Sequence, residues 1–256
     1  METNLLDFSG KVVWVTGAAS GIGRATALRF AANGAQVFAT DVNEAGLEEV
    51  AARILEGRQR VVTALCDVSE SAQVAHAVKT LTGEYGKLDV LANCAGIAAG
   101  APIAAHDEAL WSKILRVNLD GTFLCSKAAV PLLTKSAGAI VNVASIEGLG
   151  GEKLLGAYCA SKHGVIGLTK VLAKELGASG VRCNAVCPGA INTPMLRQGA
   201  EKMNETLESV IVKKTPLRRI GDPDEVARVI VFLASKQASF ITGTTLTIDG
   251  GLTAGY

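Results

Sequence analysis

Tyr158 and Lys162 are the side chains of this sequence whose types and spacing best suit proton transfer. Residues four positions apart share one face of a helix, so the two would be neighbours. A tyrosine hydroxyl ordinarily ionises near pH ~10, and an adjacent ammonium group favours the phenolate and lowers that pKa. Ser145, which follows the apolar run Ala139–Ala144, is placed to hydrogen-bond the same substrate oxygen. The three residues predict a proton-transfer centre for an alcohol or carbonyl group.

The spacing also has a purely structural interpretation, because tyrosine and lysine four residues apart occur by chance on many exposed helices. The segment Thr16–Gly23 favours the catalytic interpretation, since its three glycines follow a β-branched run and open a helical pattern. Gly17 permits a tight turn, Gly21 lets the backbone approach a pyrophosphate, and Gly23 lets the helix pack near the sheet. Free N–H groups at the helix start favour phosphate charge. The segment predicts dinucleotide binding, with a structural strand–helix turn as the alternative.

Asp41 follows the second β-branched run and bears on the choice of dinucleotide. A carboxylate at this position accepts hydrogen bonds from both ribose hydroxyls and repels a 2′-phosphate. Arg24 lies inside the first helical pattern, and no basic residue neighbours Asp41. The sequence therefore predicts NAD rather than NADP. The alternative interpretation of Asp41 is a solvated carboxylate at the end of a strand.

Short β-branched runs alternate with helical patterns along the whole chain, which predicts a doubly wound parallel sheet with helices on both faces. The predicted strands are Lys11–Thr16, Ala35–Thr40, Arg60–Cys66, Leu88–Ala92, Ala139–Ala144, Val181–Cys187 and Thr244–Ile248. The predicted helices are Gly21–Asn33, Asn43–Gly57, Ser69–Tyr85, a stretch from about Asp107 toward Leu133, Leu154–Leu176 and one opened by Asp222. Asn43 is expected to be the N-cap of its helix. The spacing of Met203, Leu207, Val210 and Ile211 predicts a further amphipathic helix. No linker or repeat interrupts this order, so we expect one α/β domain over residues 1–256.

Composition and charge exclude several classes of protein. Hydrophobic residues make up 49% and aromatic residues 4% of the chain, as in an aliphatic core around a parallel sheet. The net charge of +1 lacks the basic footprint of a nucleic-acid binder. The six cysteines form no zinc-type set, so no metal site is predicted. Without an apolar signal core or a span long enough for a bilayer, we expect a soluble cytoplasmic protein.

Further motifs are Asn93–Gly96, Asn118, Pro188–Gly189 and Asp249–Gly251. Together with the glycine turn and with Ser145, Tyr158 and Lys162, these motifs resemble those of the compact single-domain members of the short-chain dehydrogenase/reductase family. The resemblance covers essentially the whole chain. Cys94 is a departure, since many relatives carry a second asparagine there. The resemblance implies a Rossmann-type sheet of about seven strands. It also implies a homotetramer in which the two longest helices pair between subunits.

The resemblance implies a role for each site residue. Tyr158 would be the general acid/base, Lys162 would lower its pKa and hold the nicotinamide ribose, and Ser145 would orient the substrate oxygen. Asn118 would hold a water that links Lys162 to solvent, although from the sequence it is a buried amide in an apolar helix. Asp67 would meet the adenine amino group or cap its own turn. The expected cofactor-binding residues are Gly17, Ser20, Gly21, Ile22, Gly23, Asp41, Asp67, Val68, Asn93, Ala95, Gly96, Tyr158, Lys162, Pro188, Gly189, Ile191 and Thr193.

The expected substrate pocket is aliphatic, with a lid within about residues 190–215. Its contacts would be Ser145, Glu147, Leu155 and Tyr158. This favours NAD-dependent oxidation of a compact secondary alcohol, such as a cyclic alcohol, a diol or a small hydroxy compound. Glu147 either hydrogen-bonds a second substrate hydroxyl or is a solvated loop carboxylate.

Two alternatives remain open. The first is an NADPH-dependent reductase of 3-oxoacyl thioesters or another biosynthetic ketone. Asp41 argues against NADPH, whereas a basic entrance leaves room for a phosphopantetheine carrier: Arg197, Lys202, Lys213, Lys214, Arg218 and Arg219. The second is a cofactor-binding regulator without turnover, which the complete serine, tyrosine, lysine and asparagine set disfavours.

Overall fold

A seven-stranded parallel sheet forms the centre of the structure, a computed structural model that describes residues 6–202 and 212–255. The strands are β1 (Val12–Thr16), β2 (Gln36–Asp41), β3 (Val61–Leu65), β4 (Val90–Asn93), β5 (Ala139–Val143), β6 (Arg182–Pro188) and β7 (Thr245–Ile248). Their order is β3-β2-β1-β4-β5-β6-β7, with every neighbouring pair parallel. The order reverses between β1 and β4, so a ligand crevice is expected at the carboxyl ends of these two strands.

Helices cover both faces of the sheet. They are α1 (Gly21–Ala32), α2 (Glu44–Glu56), α3 (Ser71–Tyr85), α4 (Glu108–Leu115), α5 (Gly121–Ser136), α6 (Gly156–Leu176), α7 (Pro194–Lys202) and α8 (Pro223–Ala234). One core layer includes Phe30 of α1 and Ile230 of α8, and the other includes Trp14 of β1 and Leu133 of α5. Burying each such side chain contributes about 2 kcal/mol, so the two layers hold the helices against the sheet.

The predicted fold class is confirmed, and each predicted strand is present with bounds that differ by one or two residues. Asn43 caps α2 by accepting a hydrogen bond from the Gly46 N–H. Asp222 and Glu225 form a capping box at the start of α8. The start of α3 differs from the prediction, since Ser69 lies outside the helix. Its hydroxyl donates to Asp67 Oδ1 at 2.6 Å, which holds Ser69 in the preceding turn.

The helical stretch predicted from about Asp107 toward Leu133 is present, but it is not one uninterrupted α-helix. The structure has α4, then a π-helical turn over Arg116–Asp120, then α5. The Asn118 carbonyl accepts a hydrogen bond from the Thr122 hydroxyl at 2.7 Å. Apolar periodicity does not reveal such a turn, because it changes the helix by one widened turn only. The turn is of interest because π-helical turns are frequent at functional sites.

The segment after β6 is described only in part. The helix α7 opens it, whereas the amphipathic helix predicted from Met203, Leu207, Val210 and Ile211 lies outside the described residues. Among the described residues, no helix is long and apolar enough to cross a membrane. In the same part of the chain, no histidine, cysteine, aspartate and glutamate side chains gather into a group suited to a metal ion.

Candidate active site

Tyr158 and Lys162 lie together on α6, as their spacing predicts. Lys162 Nζ is 5.6 Å from the centroid of the Tyr158 ring. The lysine is 4% exposed, and its Nζ donates to the carbonyl of Val143 at 2.8 Å. Since Val143 is the last residue of β5, the amine is held at the carboxyl end of the sheet.

Burial dominates the ionisation of both side chains. It lowers the pKa of Lys162 to about 8, so the amine is still protonated at neutral pH. Burial raises the pKa of Tyr158 to about 12, and a hydrogen bond with Ser145 opposes this without reversing it. In the chain alone the pKa of Tyr158 thus lies above its ordinary value, and its lowering by Lys162 stays a prediction. A phenolate in this site loses more hydration than the neighbouring groups restore.

Ser145 is brought to Tyr158 by the end of β5. The buried serine follows that strand in an extended conformation and opens a 3-10 turn over Ile146–Gly148. Its Oγ accepts a hydrogen bond from the Glu147 N–H at 3.1 Å, and the serine lies near enough to the Tyr158 hydroxyl to lower the pKa of that group. The structure thus brings the serine, tyrosine and lysine of the predicted centre together.

Asn118 in the π-helical turn is fully buried beside this centre. Its Oδ1 accepts from the Ile97 N–H at 2.8 Å, and its Nδ2 donates to the Ile97 carbonyl at 2.9 Å. A Cβ atom placed on Gly96 would lie 3.3 Å from Asn118 Oδ1 and 3.5 Å from Lys162 Nζ. The amide and the amine therefore meet beneath Gly96. The side-chain contacts are those of a structural amide, and a role in proton transfer stays a prediction.

The glycine turn packs directly against the end of β4. Gly17 has a φ of +64°, and a Cβ there would lie 2.7 Å from Ala95 Cα. A Cβ on Gly23 would lie 2.0 Å from the Gly17 carbonyl oxygen. Thr16 Oγ1 also accepts the N–H groups of Cys94, at 3.1 Å, and Ala95, at 3.3 Å. No side chain fits at either glycine, so the backbone itself lines the crevice.

The start of α1 suits an anion. Ser20 is the exposed N-cap residue without a side-chain capping bond, and the first turn holds no acidic residue. Ile22 packs partly against the core. Thr193 lies across the turn, since a Cβ on Gly21 would be 3.1 Å from Thr193 Cγ2. The N–H groups of the first helical turn have no partner within the helix, so this cradle fits a pyrophosphate.

Asp41 ends β2 beside the glycine turn. Its Oδ2 accepts from the Ala19 N–H at 2.9 Å and its Oδ1 from the Asn43 N–H at 3.0 Å. An ionised carboxylate has about four acceptor sites, so capacity remains for ribose hydroxyls. Arg24 donates to the Ala19 carbonyl at 2.8 Å and to Glu49 at 2.9 Å. The guanidinium is thereby engaged away from the carboxylate.

Two residues expected on the adenine side have contacts within the protein. Asp67 Oδ1 accepts from the N–H and the hydroxyl of Ser69, so this oxygen caps its own turn. That contact matches the alternative interpretation of Asp67. Val68 is buried in the core, where its Cγ2 lies 2.6 Å from a Cβ placed on Gly121. Its backbone, rather than its side chain, is the part left to face a cofactor.

Asn93 at the end of β4 is also turned inward. Its Nδ2 donates to Ser126 Oγ at 3.1 Å and to Asn142 Oδ1 at 2.8 Å. Asn142 Nδ2 in turn donates to Thr169 Oγ1 at 2.9 Å. These buried bonds join β4, β5, α5 and α6. The segment that begins at Asn93 therefore offers its backbone and small side chains to the crevice.

The end of β6 forms the opposite wall of the crevice. Pro188 pairs with Ile248 of β7, and the Gly189 N–H donates to the Ile248 carbonyl at 2.9 Å. A Cβ on Gly189 would lie 2.8 Å from Asp249 Cβ. Ile191 is buried and forms a β-bridge with Gly221. These contacts hold the segment that leads to Thr193.

The expected substrate residues lie near Tyr158. Leu155 caps α6 and is half-buried, and Leu154 before it has a φ of +70°, a costly conformation for a leucine. The Leu154 carbonyl accepts from the Ala101 N–H at 2.9 Å. Glu147 is half-buried, and its Oε2 accepts from Cys159 Sγ at 3.8 Å. Burial raises the pKa of Glu147, and its charge in turn raises the pKa of Tyr158.

Comparison with known proteins gives matches over nearly the full chain. Residues 17–253 match a family model described as enoyl-(acyl carrier protein) reductase. A 3-oxoacyl-(acyl-carrier-protein) reductase of Thermotoga maritima is 43% identical over 95% of this chain and 98% of that protein. A meso-2,3-butanediol dehydrogenase of Serratia marcescens is 39% identical over 96% of both. A crystal structure of levodione reductase has a TM-score of 0.93 at 37% identity, covering 97% of this chain and 100% of that one.

Proposed function

The chain belongs to the short-chain dehydrogenase/reductase family of oxidoreductases, and we propose that it transfers hydride reversibly between NAD and a small secondary alcohol. The observation that carries the proposal is the convergence of Tyr158, Lys162 and Ser145 beside the crevice at the end of β1 and β4. The similarity to a protein named meso-2,3-butanediol dehydrogenase supports an alcohol or diol as substrate. Cyclic alcohols and small hydroxy compounds suit the same aliphatic surroundings.

The proton is transferred at Tyr158 of α6, beside Ser145 in the segment after β5. In oxidation, the alcohol gives its hydroxyl proton to the Tyr158 oxygen, while a hydride leaves the adjacent carbon and a carbonyl group remains. Ser145 Oγ holds the substrate oxygen. The protonated Lys162 stabilises the phenolate and holds the nicotinamide ribose, and Asn118 holds a water that links Lys162 to solvent. When bound, NAD supplies the hydride acceptor and, in its oxidised form, a positive charge.

The crevice would hold NAD along its length. The pyrophosphate would lie on the glycine turn and the start of α1, at Ser20 and Ile22. Asp41 would accept both hydroxyls of the adenosine ribose, and its charge disfavours NADP. The adenine would meet the turn at Asp67 and Val68. The nicotinamide would lie beneath the segment from Pro188 to Thr193, opposite the backbone of residues 93–96.

The substrate would lie between the 3-10 turn after β5 and the start of α6. Leu155 gives this space an apolar wall, and Glu147 is placed to accept a hydrogen bond from a second substrate hydroxyl. The proposed lid, within about residues 190–215, includes α7, and its residues 203–211 lie outside the described residues.

The test is a panel of secondary alcohols assayed with NAD at high pH, following reduced nicotinamide. The panel includes meso-2,3-butanediol and cyclohexanol. We expect turnover by the wild type, and a Tyr158→Phe variant that still binds NADH but has lost turnover. Near-normal turnover by Tyr158→Phe would refute its assigned role. Tight NADH binding with no turnover of any alcohol or ketone by the wild type would favour a regulator without enzymatic activity.

A second candidate is reduction of 3-oxoacyl thioesters with NADPH. It is favoured by the identity to the Thermotoga maritima reductase over nearly the whole chain. It requires a nucleotide that Asp41 disfavours. Assays with acetoacetyl-CoA and NADPH, run beside the alcohol panel, separate the two. A higher kcat/KM for the thioester would replace the first proposal with the second.

The proposal extends to assembly and location. Phe123 of α5 and Val171 of α6 are 45% and 49% exposed, which supports pairing of these helices between subunits of a homotetramer. Light scattering should then give about four times the chain mass of 26.4 kDa. All six cysteines are free thiols, which supports a reducing, cytoplasmic location.

A further inference from the structure

Ser161 is a fully buried serine between the two catalytic candidates of α6. Its Oγ donates to the backbone carbonyl of Tyr158 at 2.7 Å. The same oxygen accepts a hydrogen bond from Asn118 Nδ2 at 3.0 Å. A hydroxyl can donate one bond and accept two, so both contacts exist at once. The serine therefore joins the π-helical turn to the residue that carries the reactive hydroxyl.

The bond closes a buried chain between distant segments. Ile97, after β4, holds both ends of the Asn118 amide, and Asn118 then reaches Ser161, which is 43 residues further along the chain. Asn118 and Ser161 are both fully buried, and the hydrogen bond between them is stronger in such surroundings. The loop after β4, the π-helical turn and α6 are thus fixed relative to one another.

The packing of the Leu119 side chain on Gly164 independently shows that the π-helical turn and α6 are in close contact. A Cβ atom on Gly164 of α6 would lie 2.8 Å from Leu119 Cδ2. Leu119 is the neighbour of Asn118, and Gly164 follows Ser161 by nearly one turn. Gly164 allows the π-helical turn to approach α6 closely, and the Ser161 hydroxyl bonds the turn at one position along that helix.

We propose that Ser161 is a positioning residue, which sets the place of Tyr158 relative to Lys162 and to the substrate oxygen. It acts through the Tyr158 backbone and through Asn118, without touching substrate or cofactor itself. The inference rests on the proposed oxidoreductase function. Loss of the hydroxyl leaves the Asn118 amide with one unpaired N–H and lets the two segments shift.

Thr169 on the same helix provides a matched control. It is fully buried, its Oγ1 donates to the Val165 carbonyl at 2.8 Å, and it accepts from Asn142 Nδ2 at 2.9 Å. It therefore makes the same two kinds of bond as Ser161. At about 3.6 residues per turn, it lies about three turns from Tyr158. Thr169→Val removes its hydroxyl with little change of shape.

The experiment compares Ser161→Ala, Ser161→Thr and Thr169→Val with the wild type. Ser161→Ala should lower kcat for alcohol oxidation roughly tenfold, with KM and the NADH dissociation constant changed less than about twofold. Ser161→Thr keeps the hydroxyl and should recover most of the rate. Thr169→Val should lower the melting temperature as much as Ser161→Ala and keep kcat within about twofold.

Equal rates for Ser161→Ala and Thr169→Val would overturn the inference, as would a failure of Ser161→Thr to exceed Ser161→Ala. If Ser161→Ala fails to fold, Ser161→Cys removes the strong donor at nearly constant volume and carries the same expectation. A wild type inactive on all alcohols refutes the proposed substrate class only. The same variants are then assayed with acetoacetyl-CoA and NADPH as substrates. A wrong substrate class can thus be distinguished from a wrong role for Ser161.

Discussion

The two ends of the parallel sheet hold charge in opposite ways. At the amino end, the Asp89 side chain is 7% exposed and accepts hydrogen bonds from Lys11 Nζ at 2.7 Å and from the Val12 N–H. It also forms an ion pair with Lys87, whose Nζ lies 3.3 Å from Asp89 Oδ2. At the carboxyl end, Lys162 bonds a carbonyl oxygen. Among residues 6–202 and 212–255, it forms no ion pair with a carboxylate. The buried charge of Asp89 at the amino end is thus compensated by neighbouring amines, whereas the buried charge of Lys162 at the carboxyl end has no such partner.

The difference separates stability from chemistry. Removing a buried carboxylate that is paired with two amines would leave its partners uncompensated. A buried amine without a carboxylate has a lowered pKa and leaves its charge available to a neighbouring hydroxyl. In the described part of the chain, Asp41 and Glu147 likewise form no ion pair, and their hydrogen bonds come from backbone N–H groups and a thiol. Charges at the carboxyl end thus stay free for a ligand.

The largest expected effect comes from removing the amine at the carboxyl end. Lys162→Met should lower kcat/KM for alcohol oxidation roughly a thousandfold, because general acid/base catalysis is worth about 10²–10⁴ in rate. Lys170→Met, at an exposed lysine of the same helix, is the control and should keep full activity. Steady-state kinetics with NAD make the comparison. A Lys162→Met variant with a tenth of wild-type activity would contradict the account.

The same substitution should change how stability depends on pH. Burial lowers the pKa of folded Lys162 to about 8 from 10.5, so between these values the unfolded chain binds a proton that the folded chain does not. The wild-type free energy of unfolding should therefore rise with pH across this window, relative to Lys162→Met, by up to about 3 kcal/mol. Urea unfolding at pH 7 and at pH about 10 measures it. A wild-type free energy of unfolding that falls relative to that of the variant between these two pH values would contradict the prediction.

At the amino end, stability should change and activity should not. Asp89→Asn removes the charge that holds two amines, and should lower the free energy of unfolding by about 2 kcal/mol. Its kcat should stay within about twofold of wild type, since the site lies at the other end of the strands. Lys87→Met, where the side chain is 47% exposed, should cost less than about 1 kcal/mol. A large fall in kcat for Asp89→Asn would break the separation of the two ends.

Asp41→Ala should alter the choice of nucleotide. Removing the carboxylate removes both the ribose hydrogen bonds and the repulsion of a 2′-phosphate. We expect the ratio of kcat/KM for NAD over NADP to narrow by roughly tenfold. The measurement is that ratio in the variant and in the wild type with one alcohol. An unchanged ratio would count against the assigned role.

The smallest expected effect is at Glu147. Glu147→Gln should raise KM for a diol by about fivefold. The reason is that a substrate hydroxyl donates a stronger hydrogen bond to a charged carboxylate than to a neutral amide. KM for a mono-ol of similar size should be unaffected. Equal effects on both substrates would favour a carboxylate that serves only the loop.

Local patterns predicted the parts of the molecule that depend on neighbouring residues. The spacing of the glycines predicts that Gly17 and Gly23 form a tight turn against the sheet. The structure explains this, because a Cβ atom at either position would clash with neighbouring backbone atoms. Asn43 and Asp222 were identified as caps because capping is decided within four residues. The shared face of Tyr158 and Lys162 follows from helical periodicity in the same way.

Features that depend on tertiary packing were not predictable. The π-helical turn at Asn118 lies in a periodic apolar stretch that resembles one continuous helix. The raised pKa of Tyr158 reflects burial, which no spacing reveals. Ser161 has a signal in the sequence, a small polar residue one turn from Tyr158 and adjacent to Lys162, but its partner Asn118 appears only in the fold.

Direct titration of Tyr158 tests the central claim most closely. The chain has three tyrosines, so the near-ultraviolet phenolate signal of the wild type minus that of Tyr158→Phe isolates one hydroxyl. We predict that no Tyr158 phenolate forms below pH about 10 in the free protein. With saturating NAD, we predict a phenolate midpoint that falls to lower pH and coincides with the midpoint of alcohol oxidation. Full-rate oxidation at a pH where NAD-bound Tyr158 is still protonated would contradict the account.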